Sequence, residues 1–204
     1  MSYWTAKPTW PGEPIFVVCG GPSVEKHNLE CLRGRRVLVV NSSCYAAPWA
    51  DVLFFGDSRW WRENRKAVAE FGGLVVSVAP SAFDDKIKRM QKRPPPGLTD
   101  DRAALTMRRT STLGALSLIK HFGPRTVVTL GLDGGDVGGR THHHKPHPWP
   151  QRVDCWDEQR KDLAGAVEPL KASGITVLNA SPGSAVPFWP VVTLEEALCR
   201  LPSA

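Results

Sequence analysis

The sequence predicts an α/β protein with a doubly wound, mostly parallel sheet in a single domain. Short apolar runs alternate along the chain with helix-compatible segments, and small or polar residues directly follow five of these runs. Runs that are apolar throughout, such as Val37–Val40, are typical of strands buried on both faces of a parallel sheet. The length of 204 residues fits one compact domain of this class.

The individual elements follow from this alternation in chain order. Strands are predicted at residues 14–19, 37–40, 51–55, 74–78, 125–131 and 176–179. Helices are predicted at residues 22–33, 58–71, 111–122, 154–172 and 194–201. Because strands and helices alternate and no internal repeat is evident, we expect a Rossmann-like domain over residues 14–204.

Three segments fall outside the alternation. Residues 1–13 are rich in Pro, Trp and Gly and are predicted to form an N-terminal arm. Segments 80–109 and 132–152 are predicted to be long loops, and loops of this length in a compact domain are commonly lids over a site. Three tryptophans in polar surroundings are expected to be exposed: Trp60, Trp61 and Trp149.

The composition indicates a basic protein. A net charge of +6 and a pI near 9.2 favour an anionic partner such as a nucleotide, a nucleic acid or an acidic glycan. Basic residues cluster at 86–89, 92–93 and 108–109, either as a solvated surface or as a contact to an anionic ligand. No run of ~20 apolar residues predicts a membrane span, and the first residues lack the apolar stretch of a signal peptide. We therefore expect a cytoplasmic location, and a homo-oligomer is left open.

The first predicted strand ends in Gly20-Gly21-Pro22-Ser23. The glycines allow positive φ and close backbone approach, Pro22 suits a first helical turn, and Ser23 can cap backbone N–H groups. Such a turn predicts a phosphate site at a helix start, and its alternative is a structural turn without a ligand.

Polar residues at other element ends add to this prediction. Asn41 and Ser42 are candidates for contacts to a base or ribose, and Asp57 for a ribose hydroxyl, a divalent ion or a helix cap. Ser111 and Thr112 begin a predicted helix and can contact a nucleotide or cap that helix. In open α/β sheets, the carboxyl ends of the strands bind ligands. Neither the G-x-G-x-x-G motif nor the P-loop motif is present.

Residues 138–149 form a segment rich in histidine. Histidine titrates near neutral pH, so a general base is the favoured interpretation, with a metal site or a flexible polar loop as alternatives. Asp133 can orient a histidine or bind a cation. The candidate histidines are His142, His143, His144 and His147.

The order of these motifs resembles that of the family 42 bacterial sialyltransferases and the related 6-hydroxymethylpterin diphosphokinase-like proteins. It is also similar to that of small phage-encoded proteins of unknown activity, which would place the protein in a bacterial host cytoplasm. The resemblance spans residues 14–198. Its motifs are Gly20–Ser23, Asn41, Thr110-Ser111, Gly131-Leu132-Asp133 with the histidine segment, and, for the phage proteins, Ala47–Asp51, Asp57 with Trp60-Trp61, and Asn179–Pro190.

The resemblance implies specific roles. In the sialyltransferases, the Gly-Pro-Ser loop and the following Asn hold a cytidine nucleotide-sugar, and a loop histidine is the base. The implied nucleotide contacts are Gly21, Pro22, Ser23, Asn41 and Ser111, and the implied base is one of the four histidines. In the pterin kinase-like branch, acidic residues hold magnesium and ATP, a role open to Asp57 and Asp133. Two features differ: Gly20 replaces the family's loop Asn, and residues 132–152 lack its paired tyrosines.

The leading prediction is a nucleotide-dependent transferase, specifically a glycosyltransferase with a nucleotide-sugar donor. Its acceptor would be anionic, a glycan or a nucleic acid, and residues 80–109 would close over the site. One alternative is a non-catalytic phage accessory or virion protein that binds a nucleotide or nucleic acid. The other is an ATP-dependent diphosphokinase-like enzyme.

Overall fold

A seven-stranded parallel sheet forms the centre of the computed structural model, which describes residues 3–145 and 155–201. Its strands are β1 (Pro14–Val18), β2 (Arg36–Val40), β3 (Val52–Phe55), β4 (Leu74–Ser77), β5 (Ile87–Arg89), β8 (Thr126–Leu130) and β9 (Thr176–Asn179). A separate two-stranded parallel sheet pairs β6 (Gln91–Arg93) with β7 (Ala104–Thr106). The helices are α1 (Ser58–Glu63), α2 (Arg65–Glu70), α3 (Ser111–Phe122), α4 (Trp156–Ala164), α5 (Val167–Ala172) and α6 (Leu194–Arg200). The predicted Rossmann-like α/β domain is confirmed.

The strand order reverses at the middle of the large sheet. Its order is β5-β4-β3-β2-β1-β8-β9, so the chain moves outward from β1 in one direction and then returns to β8 on the other side. Connections leave β1 and β8 toward opposite sides, which opens a crevice between their carboxyl ends. The fold therefore opens a crevice where β1 meets β8.

Both faces of the sheet are buried, which explains the continuous apolar runs. In β1, Ile15 and Val17 pack into a cluster with α3, whereas Phe16 and Val18 pack into a second cluster on the opposite face. All four side chains are fully buried, and each contributes roughly 1.5–3 kcal/mol of burial free energy. No helix of the described residues is long and apolar enough to cross a membrane.

Three predicted helices are interrupted or shortened. The segment predicted as helix 22–33 forms two 3-10 helices, Pro22–Lys26 and Leu29–Leu32. Asn28 is the N-cap of the second one, because its side chain accepts a hydrogen bond from Glu30 N. Predicted helix 58–71 divides into α1 and α2 at Asn64, whose side-chain amide donates to the Trp60 carbonyl. Predicted helix 154–172 divides into α4 and α5.

Segments predicted as an arm and a loop are packed against the domain. Ala6 and Trp10 are buried, and Trp10 meets Phe122 edge-on at 5.1 Å between ring centroids. The predicted loop 80–109 contains β5, β6 and β7, and its Leu105 is fully buried. Hydrophobic burial thus orders residues whose composition had indicated irregular structure. Closure of this segment over a ligand stays a prediction.

The expected exposure of the tryptophan pair is wrong. Trp60 and Trp61 are buried, and the Trp60 indole donates a hydrogen bond of 2.8 Å to Ser42 Oγ. Phe55 packs against both rings. The polar neighbours in sequence lie on the other side of α1. Trp149 lies outside the described residues.

Gly114 lies where α3 packs closely against Phe54 of β3. A Cβ at this position would lie 2.5 Å from Phe54 Cζ and 3.1 Å from Met107 Sδ, so Gly114→Ala should lower the free energy of unfolding by about 1–3 kcal/mol through overpacking. The gain in helix propensity, about 1 kcal/mol, would only partly offset this. Urea denaturation measures the change. Gly72→Ala, where a Cβ meets nothing within 4 Å, is the control and should leave stability nearly unchanged. An equal effect in both variants would contradict the packing argument.

Candidate functional site

A cleft of about 670 Å³ opens at the carboxyl ends of the strands, where β1 meets β8. The turn after β1, the turn after β8, the start of α3 and one face of α4 line it. The predicted site residues in its lining are Gly20, Gly21, Asn41, Asp57, Ser111, Thr112, Asp133, His142 and His144. The predicted residues that do not line it are Pro22, Ser23, Ser42 and His143. His147 lies outside the described residues.

The turn after β1 is held directly against the turn after β8. Gly21 N donates a hydrogen bond of 2.9 Å to the Gly131 carbonyl, and Ser23 N donates one of 2.9 Å to Asp133 Oδ2. A Cβ on Gly21 would lie 2.4 Å from Asp133 Oδ2 and 2.5 Å from the Gly131 oxygen. Gly21 is therefore required for close approach of the two turns.

The structure uses the glycines of this turn for close approach rather than for positive φ, and the expected cap by Ser23 is wrong. Gly20 and Gly21 do not have positive φ, whereas Gly131 in the partner turn does, at 72°. The Ser23 hydroxyl does not cap the 3-10 helix; it is buried without a hydrogen-bond partner. Asp133 already accepts from Ser23 N, so the N–H groups of Gly21 and Ser23 are engaged within the protein. A phosphate would need other donors.

Two acceptor oxygens at the site are buried and have no hydrogen-bond partner. They are Asp133 Oδ1 and Asn41 Oδ1. Asn41 also has a φ of 51°, which places it in the left-handed region that non-glycine residues rarely adopt. Strained backbone and unpartnered buried oxygens cluster at ligand sites, because a ligand supplies the missing donors. These two residues are thus poised to accept hydrogen bonds from hydroxyl or amino groups. Ser42 lies behind them and supports Trp60.

Asp57 is both a helix cap and a cleft residue. Its side chain accepts a 2.7 Å hydrogen bond from Arg59 N at the start of α1 and pairs with the Arg59 guanidinium at 3.0 Å. Burial alone would raise the pKa of Asp57, but the bonds and charge of Arg59 outweigh it and hold the pKa below its usual value.

The described residues contain no cluster of three His, Cys, Asp or Glu side chains that could hold a metal. Asp57 is engaged by Arg59, and one oxygen of Asp133 is engaged by Ser23. These two carboxylates do not by themselves supply the oxygen-rich octahedral set that magnesium prefers. Magnesium binding by Asp57 and Asp133 stays a prediction.

The start of α3 contributes a second wall of the cleft. Thr110, rather than Ser111 or Thr112, caps the helix by accepting from Thr112 N, and Ser111 and Thr112 both line the cleft. Immediately before it, Arg108 binds Asp162 at 2.5 Å, and Arg109 binds Glu158 at 2.5 Å. These ion pairs join the start of α3 to α4.

Several lining residues were absent from the sequence-based candidates. Four are cationic: Arg59, Lys92, Arg108 and Arg109. Lys92, Arg108 and Arg109 belong to the basic clusters 92–93 and 108–109, so the charge pattern of the sequence gives a signal for these three. Trp156, Gln159 and Leu163 reach the cleft from one face of α4. The residues around them in the sequence give no signal of a ligand site.

The histidine segment is anchored next to the β1 turn. Arg140 forms a two-pronged ion pair with Glu25, with contacts of 2.8 and 2.6 Å. His143 N donates to the Gly20 carbonyl at 3.0 Å, and His143 Nε2 lies 2.9 Å from Ser43 Oγ. Since the Ser43 hydroxyl donates to the Cys19 carbonyl, it accepts from an Nε2–H group of His143. His143 therefore fixes the segment to the sheet.

The three described histidines of this segment have different environments. Burial, and then the charge of His144, lower the pKa of His143 to about 4, so its ring is neutral at pH 7. Burial also lowers the pKa of His144. His144 Nδ1 lies 2.8 Å from the Lys145 carbonyl, which can only accept, so the neutral ring carries its basic lone pair on Nε2. His142 Nδ1 lies 2.9 Å from Thr141 Oγ1. His142 and His144 reach the cleft, whereas His143 has a structural position.

The sequence matches no protein-family model and no curated protein. The fold is similar to that of a solved structure described as MAf glycosyltransferase from Magnetospirillum magneticum AMB-1, with a TM-score of 0.70 and 15% sequence identity. The match covers 100% of this chain and 37% of that chain, so this chain spans little more than a third of that protein. At this identity the likeness shows the fold alone.

The low pKa of His143 makes stability depend on pH. The unfolded histidine, with a pKa near 6.5, binds a proton that the folded protein does not bind until about pH 4. The contribution of His143 to the free energy of unfolding should therefore be fully present above pH 6.5. It should be lost progressively as the pH falls from 6.5 to about 4. Urea titrations across this range measure the slope.

His143→Gln is the matched variant, because its amide can still donate to Ser43 Oγ but does not titrate in this range. Most other titrating groups are common to both proteins, so the difference between the two slopes reports the histidine together with its effect on the pKa of Glu25. Parallel slopes for the two proteins would show that His143 is solvated in the folded state.

Proposed function

We propose that this protein is a glycosyltransferase that uses a nucleotide-sugar donor bound in the cleft. The observation that carries the proposal is the meeting, at the β1–β8 switch point, of the close-packed glycine turn, two unpartnered acceptor oxygens and two histidines. Doubly wound sheets bind nucleotides at this location. The fold likeness to a protein described as a glycosyltransferase supports the same assignment.

The donor's nucleoside would bind near the β1 and β2 ends. Asn41 Oδ1 and Asp133 Oδ1 are acceptors that need donors, and ribose hydroxyls and base amino groups are donors of matching chemistry. Gly20 and Gly21 lack side chains there, so a ligand can approach the backbone closely.

The donor's phosphate would lie toward α3. Ser111 and three cations, Lys92, Arg108 and Arg109, face the cleft on this side. Guanidinium groups suit phosphate oxygens, because they donate several hydrogen bonds in a fixed plane. Charge that develops on the departing phosphate would be stabilised by these groups.

His144 is the proposed general base. Its Nε2 lone pair would take the proton of an acceptor hydroxyl as that oxygen attacks the anomeric carbon and the bond to the nucleotide phosphate breaks. The lowered pKa keeps His144 unprotonated at neutral pH, so it is ready to accept that proton.

A thermal-shift panel of nucleotides and nucleotide-sugars, with and without magnesium, tests donor binding. A ligand at 100 times its dissociation constant should stabilise the protein by ~2.7 kcal/mol, or about 5–10 °C for a chain of this size. A response to one base would identify the donor class. Binding without any release of sugar would favour the non-catalytic nucleotide-binding alternative, and no response to any member would refute the proposal.

His144→Gln tests the base. The variant should lower kcat for donor hydrolysis or transfer by about 10²- to 10⁴-fold, since it removes the proton acceptor but leaves the walls of the nucleotide site in place. Steady-state kinetics and donor-binding affinity are measured together.

The control is His27→Gln, which changes a histidine that binds the Ala180 carbonyl and does not line the cleft. It should retain full kcat. Loss of donor affinity in His144→Gln with unchanged kcat would assign His144 to binding rather than to proton transfer.

A further inference from the structure

We propose that a surface beside the cleft, formed by Tyr3, Phe83 and Arg89, binds single-stranded nucleic acid. We call it the Arg89 surface. It lies at the carboxyl end of β5, and the cleft also lies on the side of the sheet where the strands have their carboxyl ends. The proposal stands on its own contacts and does not require the cleft to be catalytic.

The Arg89 surface belongs to the most basic part of the chain. Residues 79–93 hold five Lys or Arg and two Asp, a net charge of +3, which is half of the molecule's +6. Lys88 and Lys92 are exposed, whereas Lys86 turns back to donate to the Ala69 carbonyl at 2.7 Å. A concentrated positive field of this kind attracts a phosphate backbone.

The same surface exposes two aromatic rings around one guanidinium. Phe83 is 58% exposed and Tyr3 is 44% exposed, and they are two of the four large exposed hydrophobic side chains among the described residues. The Arg89 Cζ atom lies 4.1 Å from the Phe83 ring centroid and 5.9 Å from the Tyr3 ring centroid. Two of the four such exposed side chains thus flank a single cation.

Backbone contacts hold this arrangement in place. Trp4 N donates to the Arg89 carbonyl at 2.8 Å, which brings Tyr3 to the end of β5, and Arg89 Nη2 reaches the Pro80 carbonyl at 3.4 Å. Such pre-organisation reduces the entropy lost when a ligand binds.

The surface is continuous with the cleft. Ser81 N donates to Ser58 Oγ at 3.3 Å, and Ser58 lines the cleft. Lys92 also lines the cleft, so cations extend from the cleft toward the Arg89 surface. A bound strand could therefore reach the cleft.

The combination of exposed rings and cations favours single-stranded nucleic acid over other anionic polymers. Each nucleotide carries both a phosphate and a base with a flat face, and single-strand binding proteins combine a basic track with aromatic stacking platforms. Acidic glycans carry charge without aromatic faces. A duplex keeps its bases stacked inside and offers Phe83 none.

Fluorescence anisotropy with a labelled oligothymidylate tests the proposal on the full chain. Affinity should fall steeply with salt, with a log–log slope that Arg89→Gln reduces by about 0.7. Phe83→Ala should weaken binding by about 5- to 100-fold through loss of base stacking. Phe83 is exposed and Arg89 is half-buried at the surface, so both variants should fold, and circular dichroism checks this.

Two variants and one competitor serve as controls. Tyr45→Ala removes another exposed ring, which contacts Asn64 rather than Arg89, and Lys66→Gln removes an exposed cation on α2. Neither should change the affinity. Inorganic polyphosphate has charge but no bases. Its dissociation constant, obtained by competition with the oligonucleotide, should be the same for the wild type and Phe83→Ala.

Three results would overturn the proposal. The first is that the oligonucleotide does not bind at low salt. The second is that Phe83→Ala and Tyr45→Ala lose the same amount of affinity for it. The third is that a duplex binds as tightly as the single strand and that Phe83→Ala does not change the affinity for the duplex. The last would indicate simple polyanion exchange. Nucleotide binding in the cleft is measured separately, so its failure is distinguishable from failure here.

Discussion

The contact between the turns after β1 and β8 is the constraint on which the site depends. Gly21 and Ser23 donate their backbone N–H groups to the Gly131 carbonyl and the Asp133 carboxylate, and no Cβ fits at Gly21. The chain leaves β1 toward β2 and leaves β8 toward β9, in opposite directions along the sheet. These two hydrogen bonds hold the turns after β1 and β8 together. The N–H groups of Gly21 and Ser23 are thus engaged within the protein, whereas Asn41 Oδ1 and Asp133 Oδ1 have no hydrogen-bond partner.

The histidine segment depends on the same turn. His143 N binds the Gly20 carbonyl, its ring binds Ser43, and Ser43 binds the Cys19 carbonyl. The low pKa of His143 follows from this buried position, which disfavours the charged ring. One histidine thus fixes the segment so that its neighbours, His142 and His144, reach the cleft. Adjacent residues of the same type thus have different positions, one buried against the sheet and two at the cleft.

Charge is distributed unevenly around the cleft. On one side, Arg108 and Arg109 are matched by Asp162 and Glu158 of α4, so the start of α3 and α4 are joined by ion pairs. On the other side, the 79–93 segment has an excess of positive charge and exposes aromatic rings. The cations of the first region are paired with carboxylates, whereas those of the second give a broad basic surface.

The sequence by itself determined the parallel sheet, because continuous apolar strands and polar strand ends are local properties of the chain. It also placed Gly21, Asn41, Asp133 and the histidine segment near one edge, since parallel strands end together. The tertiary structure decided which of them face the cleft: Ser23 and His143 turn inward, and α4 brings in side chains distant in sequence. It also ordered residues 80–109, whose burial depends on partners far along the chain. Local patterns fix periodicity, whereas side-chain direction and long-range packing depend on contacts that exist only once the whole domain has formed.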